Sequence, residues 1–174
     1  EEWLSPGFVK LAYQVADQTL RDLGVRENVS LLYNDYYTFY IDEIFDTPED
    51  LITLINFINS DGKICDGIGM QAHMVVGAFS DYGLIGKAAQ RYVDAGLEVQ
   101  LTEFEISIYE DRVVDWEKSR EEQGKLYTRI LTDLVKIKRN GGNITCITLW
   151  GSSDLSVVPQ SKEALLFARP DMPK

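Results

Sequence analysis

The chain of 174 residues is poor in the residues that build disulfide frameworks and metal sites, since it has two cysteines and one histidine. Two cysteines cannot form the framework that staples small secreted domains. Cys65 and Cys146 each lie in an apolar run, so we expect both to be buried thiols. A single histidine argues against a metal site built on histidine. We therefore predict neither a metal nor a cofactor.

Positive charge and long apolar runs are also scarce. Asp and Glu number 28 against 17 Lys and Arg, and the net charge is −11. This balance excludes a phosphate-binding surface for nucleic acid and disfavours an anionic membrane. No apolar run approaches the roughly 20 residues that span a bilayer, and the first residues lack the basic and apolar regions of a signal peptide. A neutral polymer such as a polysaccharide remains compatible with this composition.

Short apolar strands alternate with amphipathic helices along the chain, which we treat as one domain over 1–174. Ser5 with Pro6 is typical of a helix start and Gly24 of a helix end. The predicted helices are 6–23, 49–59, 80–95 and 117–139, and the predicted strands are 29–33, 66–71, 97–102 and 143–150. This order predicts an α/β fold with a parallel sheet. No glycine-rich dinucleotide motif follows the first strand.

Two architectures fit this alternation, a doubly wound sheet and a barrel. A full eight-stranded barrel needs about 250 residues, so four strands would make half of one. Each predicted strand ends in polar or aromatic residues that make a poor core: Asn34-Asp35-Tyr36, Gln71-Ala72-His73, Glu103-Phe104-Glu105 and Trp150-Gly151. Since barrel active sites form at the carboxyl ends of strands, we expect these groups to gather at one edge.

An acidic residue directly after a buried strand, as Glu103 is, must be paired, hydrogen-bonded or exposed. It marks either the strand's exit into solvent or a carboxylate nucleophile in a cleft. A neighbouring His73 would keep Glu103 ionised and oriented, and Glu105 would point the same way if the strand continues. A lone histidine after an apolar strand is more often a structural residue, so the functional interpretation of His73 depends on the cluster. Trp150 and Tyr36 are either packed aromatic residues or surfaces for stacking on sugar rings.

Four segments resemble successive motifs of glycoside hydrolase family 10, in the family's order and at similar spacing: 31–36, 66–73, 101–106 and 147–151. Trp3 and the helix over 8–16 resemble the segment after the family's fourth strand. The resemblance implies the C-terminal half of a (β/α)8 TIM barrel, with its fifth to eighth strands. It further implies a secreted endo-1,4-β-xylanase, which hydrolyses internal bonds of xylan with retention of configuration and binds xylan or xylo-oligosaccharides.

The same resemblance assigns roles to particular residues. Glu103 matches the nucleophile, while His73 and Glu105 match the pair that orients and tunes it. Gln71 and Trp150 match residues around the sugar before the cleaved bond. Asn34 and Tyr36 match the strand-five motif, and Tyr36 faces the leaving-group side.

The chain departs from the family pattern in three places. The family's general acid/base is the Glu of an Asn-Glu pair on the fourth strand, and no such pair precedes Trp3. Glu105 stands where the family usually has Asp, and the segment 154–159 lacks the family's Ser-Trp. We therefore expect this chain to be inactive alone and to need the N-terminal half of the barrel or another chain. The alternatives are a carbohydrate-binding pseudoenzyme and an interaction domain without hydrolase activity.

Overall fold

The computed structural model of the protein describes residues 5–78, 81–108, 115–152, 164, 167–169 and 172–173. The helices are α1 Pro6–Asp22, α2 Thr47–Ile58, α3 Leu84–Asp94 and α4 Trp116–Arg139, with a 3-10 turn at Arg26–Asn28. The strands are β1 Leu32–Asp35, β2 Gly67–Met70, β3 His73–Val75, β4 Glu98–Ser107, β5 Ile144–Leu149, β6 Phe167–Arg169 and β7 Met172–Pro173.

Strands β1 to β5 form one parallel sheet with four strand positions, which are occupied in chain order by β1, by β2 with β3, by β4 and by β5. β1 pairs with β2, β2 with β4, and β4 with β5. β3 continues the line of β2 along the far end of β4. A helix links each strand position to the next, and α1 to α4 pack in a row on one face. A doubly wound sheet would reverse its strand order, so the consecutive order identifies an arc of a barrel.

The hydrophobic core lies between the sheet and the row of helices. Val99, Leu101, Phe104 and Ile106 of β4 are buried in it, together with residues of β2, β3, β5, α2, α3 and α4, while β1 contributes the half-buried Tyr33. The opposite side of the sheet, called here the inner face, carries polar side chains of β4 and the exposed middle of β5. Buried apolar surface on one side only is typical of an open half-barrel.

Helix boundaries follow local sequence signals closely. The Ser5 hydroxyl accepts a hydrogen bond from the Phe8 N–H at 3.3 Å, Pro6 opens α1, and Gly24 follows its end at φ +69°. These features confirm the predicted caps of α1. α2 and α4 lie within two residues of their predicted bounds.

The predicted start of α3 is wrong. The helix begins at Leu84, because the Asp81 carboxylate accepts the Gly83 N–H at 2.8 Å and closes a turn ahead of it. Ser80, the predicted cap, lies outside the described residues.

Two further expectations need correction. Cys65 is buried as expected, but Cys146 is exposed because it lies on β5, which no other described element covers on the inner face. Two predicted strands also differ from the structure. The first, predicted at 29–33, was placed too early, and the third, predicted at 97–102, ended too soon. β1 runs through Asp35, and β4 extends to Ser107 because β3 and β5 pair with its far half. Glu103 and Glu105 therefore lie within a strand and not after one.

A short antiparallel hairpin, β6 with β7, was not anticipated. Among the described residues, every helix is too short or too polar to cross a lipid bilayer.

Candidate active site

His73 lies between two carboxylates at the carboxyl ends of the strands. Its Nδ1 is 2.8 Å from Glu105 Oε1, and its Nε2 is 3.1 Å from Glu103 Oε2. A protonated imidazole donates through both ring nitrogens, which suits two acceptors. The three residues predicted to form one cluster therefore do so.

A bulge in β4 turns both carboxylates toward His73. From Leu101 to Glu105 is four residues along β4, whereas their partners Met70 and His73 are three apart. The pairing with β5 shows the same extra residue between Leu101 and Phe104. Side chains alternate along a regular strand, so without the bulge Glu103 and Glu105 would share the core side with Leu101. The bulge lets Phe104 take the core side instead.

The neighbouring strand has its own irregularity at the same level. Ala72, between β2 and β3, is fully buried and adopts φ 60°, a left-handed conformation that alanine rarely takes. Such strain of order 1–3 kcal/mol persists where the surrounding structure enforces it, often at functional sites. This kink separates Gln71 from His73 and starts β3, in which His73 pairs with Glu105.

The two carboxylates determine the protonation of His73. The hydrogen bond to Glu105 raises the pKa of the imidazole above its usual value, the bond to Glu103 raises it further, and partial burial opposes both. The raised pKa extends the pH range in which His73 is charged, and in that form both ring N–H groups make charge-assisted hydrogen bonds to the carboxylates.

Aromatic side chains flank the cluster on two sides. The Tyr36 ring lies 5.7 Å from the His73 ring, and the Trp150 ring lies 5.7 Å from it at a right angle. Tyr36 is 45% and Trp150 is 44% exposed. The predicted sugar-stacking residues therefore border the cluster and present surface to solvent, while Tyr37 packs edge-on against Tyr36.

The remaining predicted residues lie on β1 and at the end of β2. Gln71 donates its backbone N–H to the Asp35 carbonyl at 3.2 Å, which extends the pairing of β1 and β2. The Asn34 side chain accepts a hydrogen bond from Thr102, the residue before Glu103. Thr102 and Ala72 were not predicted as site residues. The one signal in the sequence that could have identified them is that each directly precedes a predicted site residue, Glu103 or His73.

Within the described ranges, no group of three or more His, Cys, Asp or Glu residues is arranged to hold a metal ion. Two predicted departures from the family pattern, the missing Asn-Glu pair before Trp3 and the segment 154–159, fall at residues outside the described part of the chain.

Comparison with known proteins tests the resemblance. The sequence model of "Glycosyl hydrolase family 10" matches residues 1–174. Endo-1,4-beta-xylanase A of Butyrivibrio fibrisolvens is 33% identical over 161 residues, which are 92% of this chain and 35% of that protein. Beta-1,4-xylanase of Dictyoglomus thermophilum is 32% identical over 139 residues, which are 75% of this chain and 36% of that protein.

Solved structures agree in fold. A mutant structure in complex with xylotriose is 28% identical with a TM-score of 0.75 and covers 96% of this chain and 51% of its own. An endo-1,4-β-xylanase from Penicillium canescens, 21% identical, has a TM-score of 0.80 and covers 96% of this chain and 49% of its own. The chain thus spans about a third of these curated relatives and about half of these solved structures.

The parallel arc and its carboxylate–histidine cluster define a partial (β/α)8 barrel of the glycoside hydrolase class. The family match covers the whole chain, and the chain belongs to glycosyl hydrolase family 10.

Proposed function

We propose that this chain is part of a retaining endo-1,4-β-xylanase and carries its nucleophile, Glu103. The observation that carries the proposal is the position of His73, which binds both Glu103 and Glu105 between two exposed aromatic rings. The Glu103 side chain is 20% exposed and that of Glu105 only 5%. Glu103 is therefore the carboxylate that a substrate can reach.

In this proposal the Glu103 carboxylate attacks the anomeric carbon, and the bond to the leaving sugar breaks. A covalent glycosyl-enzyme forms, which water then hydrolyses, so that two inversions retain the configuration. His73 and Glu105 act by keeping the Glu103 carboxylate aimed, through the hydrogen bonds that His73 makes to both. Glu105 reaches His73 at 2.8 Å, so the extra methylene relative to Asp is accommodated.

The substrate in this proposal is xylan or a xylo-oligosaccharide. Trp150 and Gln71 contact the sugar before the cleaved bond, and Tyr36 faces the leaving-group side, with Asn34 beside it on β1. Support comes from the exposed rings of Tyr36 and Trp150, since an aromatic ring offers apolar surface to a sugar face while its polar edge stays solvated.

The acid/base and the rest of the barrel belong to a complementary segment, the N-terminal half of the barrel or another chain. Among the described residues, β1 pairs only with β2, and β5 only with β4, which leaves two open parallel edges. Exposed apolar side chains lie at both ends of the arc. Phe8, Leu11 and Val15 are on α1 at the β1 end, and Val135 of α4 and Ile147 of β5 are at the β5 end. Open edges and apolar faces of this kind are normally covered.

We further infer that the enzyme works outside the cell, because a polymer such as xylan must be cut where it is found. This inference rests on the proposed substrate.

The test is a xylan digest with three samples: this chain alone, the chain joined to a segment carrying the Asn-Glu pair, and the joined form with Glu103→Gln. A retaining hydrolase needs an acid to protonate a sugar leaving group. We therefore expect xylo-oligosaccharides only from the joined form with Glu103. Glu27→Gln, an exposed carboxylate in the turn after α1, is the matched control and should leave release unchanged.

The outcomes separate the competing functions. Release by this chain alone would place the acid within these residues, and undiminished release by Glu103→Gln would remove Glu103 from the mechanism. Binding of xylo-oligosaccharides without any product from the joined form would favour the carbohydrate-binding pseudoenzyme. Absence of both binding and product would favour an interaction domain.

A further inference from the structure

The bulge in β4 consists of Thr102 and Glu103, the two residues between Leu101 and Phe104, where the register with β5 shifts by one residue. A bulge interrupts the hydrogen-bond ladder, and its two residues share one partner on the facing strand. The backbone ladder alone therefore defines their position less firmly than that of regular strand residues. What fixes the bulge also fixes the backbone from which the Glu103 side chain extends.

Thr102 is fixed by a hydrogen bond to a strand that is not its neighbour. Its hydroxyl donates to Asn34 Oδ1 at 2.6 Å. Asn34 is on β1, and β2 lies between β1 and β4. The bond thus spans a whole strand on the inner face of the sheet.

Gly69 of β2 is what makes this contact possible. A Cβ at Gly69 would lie 2.5 Å from Asn34 Oδ1 and 3.1 Å from Thr102 Cγ2. Both distances are shorter than ordinary contacts, so any side chain at this position would push the two partners apart. The glycine therefore leaves the space through which β1 and β4 touch.

We propose that Asn34 and Thr102 are positioning residues for the nucleophile, and that their hydrogen bond across Gly69 holds the bulge that aims Glu103 at the substrate. This rests on the proposed function, in which Glu103 is the nucleophile. Glu103 is then held from two directions. His73 binds its carboxylate, and the Thr102–Asn34 bond holds its backbone. Reacting groups must be held within about 0.5 Å of their productive position, so losing one support lowers the rate more than the affinity.

The first test uses this chain itself and does not depend on activity. His73 is the only histidine, so its NMR titration is unambiguous and reports on the two carboxylates bonded to it, Glu103 and Glu105. In Thr102→Val we expect the His73 midpoint to fall toward that of an ordinary imidazole, because Glu103 moves away. Thr102→Ser keeps the hydroxyl and should titrate as the parent chain does.

Thr145→Val is the matched control. Thr145 is on β5 and donates its hydroxyl to Glu98 Oε1 at 2.5 Å, away from the bulge. The same substitution there should leave the His73 midpoint unchanged. An unchanged midpoint in Thr102→Val, or an equal fall in Thr145→Val, would overturn the proposal. If Thr102→Val does not fold, Asn34→Ala removes the acceptor instead, and the same shift is expected.

The second test uses the joined, active form. We expect Thr102→Val to lower kcat about tenfold with KM within about twofold, and Thr102→Ser to restore it. The double variant with Asn34→Ala should lose no more than either single variant, because both remove one bond. If Glu103→Gln abolishes release but Thr102→Val keeps full kcat, only the positioning role is refuted. If Glu103→Gln keeps full activity, the proposed function itself is refuted.

Discussion

Replacing Gly67 with alanine tests how closely β2 and β4 approach each other. A Cβ on Gly67 would lie 2.0 Å from the Glu98 carbonyl oxygen and 2.8 Å from its Cα. These are backbone atoms of the paired strand, since Gly67 and Glu98 are register partners. They cannot rotate away as the end of a side chain can. One strand must move by more than about 1 Å to restore van der Waals contact.

The cost follows from this movement. Overpacking of a well-packed site costs about 1–3 kcal/mol, and occasionally more. The shift also strains the bond from the Glu98 N–H to the Asp66 carbonyl, now 3.0 Å. We therefore expect Gly67→Ala to lower the free energy of unfolding by about 3 kcal/mol. In a chain of this size that lowers the Tm by about 6–12 °C.

Gly124→Ala is the matched control with the opposite sign. Gly124 lies in the middle of α4 and is exposed, and a Cβ there would meet nothing within 4 Å. Alanine is favoured over glycine inside a helix by about 0.8–1 kcal/mol. The same chemical change should therefore stabilise the protein at this position.

Urea denaturation followed by circular dichroism measures both variants against the parent chain. The expected change is in the midpoint, with the m-value unchanged. A Gly67→Ala variant as stable as the parent would show that β2 and β4 do not approach as closely as described. A loss of stability in Gly124→Ala would contradict the reasoning about open space in α4.

Two further predictions concern titratable groups. A histidine whose folded pKa lies above its unfolded value of 6.5 stabilises the fold fully below that value, and this contribution is lost as the pH rises through the folded pKa. The free energy of unfolding should therefore fall above about pH 6.5, and His73→Gln should flatten this fall in urea titrations; an unchanged slope would count against it. Cys146 is exposed, whereas burial encloses Cys65 and raises the pKa of its thiol. A chromogenic disulfide reagent should thus detect one fast thiol in the native chain and two after unfolding, and two fast thiols in the native chain would contradict the burial of Cys65.

The order of the helices and strands, and the edge of the sheet at which the site forms, could be predicted from the sequence alone. Helix signals are local, as at Ser5 and Gly24, where one side chain or one glycine closes the end of a helix. Alternating strands and helices force a parallel sheet, and a parallel sheet brings strand ends to one edge. The clustering of His73 with Glu103 and Glu105 could be predicted on this basis, and its geometry agrees.

Features that depend on neighbouring strands were beyond the sequence. The alternation of side chains assumes a regular strand, so it cannot show that an extra residue in β4 turns Glu103 to the inner face and Phe104 to the core. The same holds for the φ of Ala72 and for the contact between Asn34 and Thr102 across Gly69. Each is fixed by pairing between segments more than 25 residues apart in sequence. Local propensity is determined within a few residues, whereas register, bulges and the exposure of Cys146 are decided only when the strands meet.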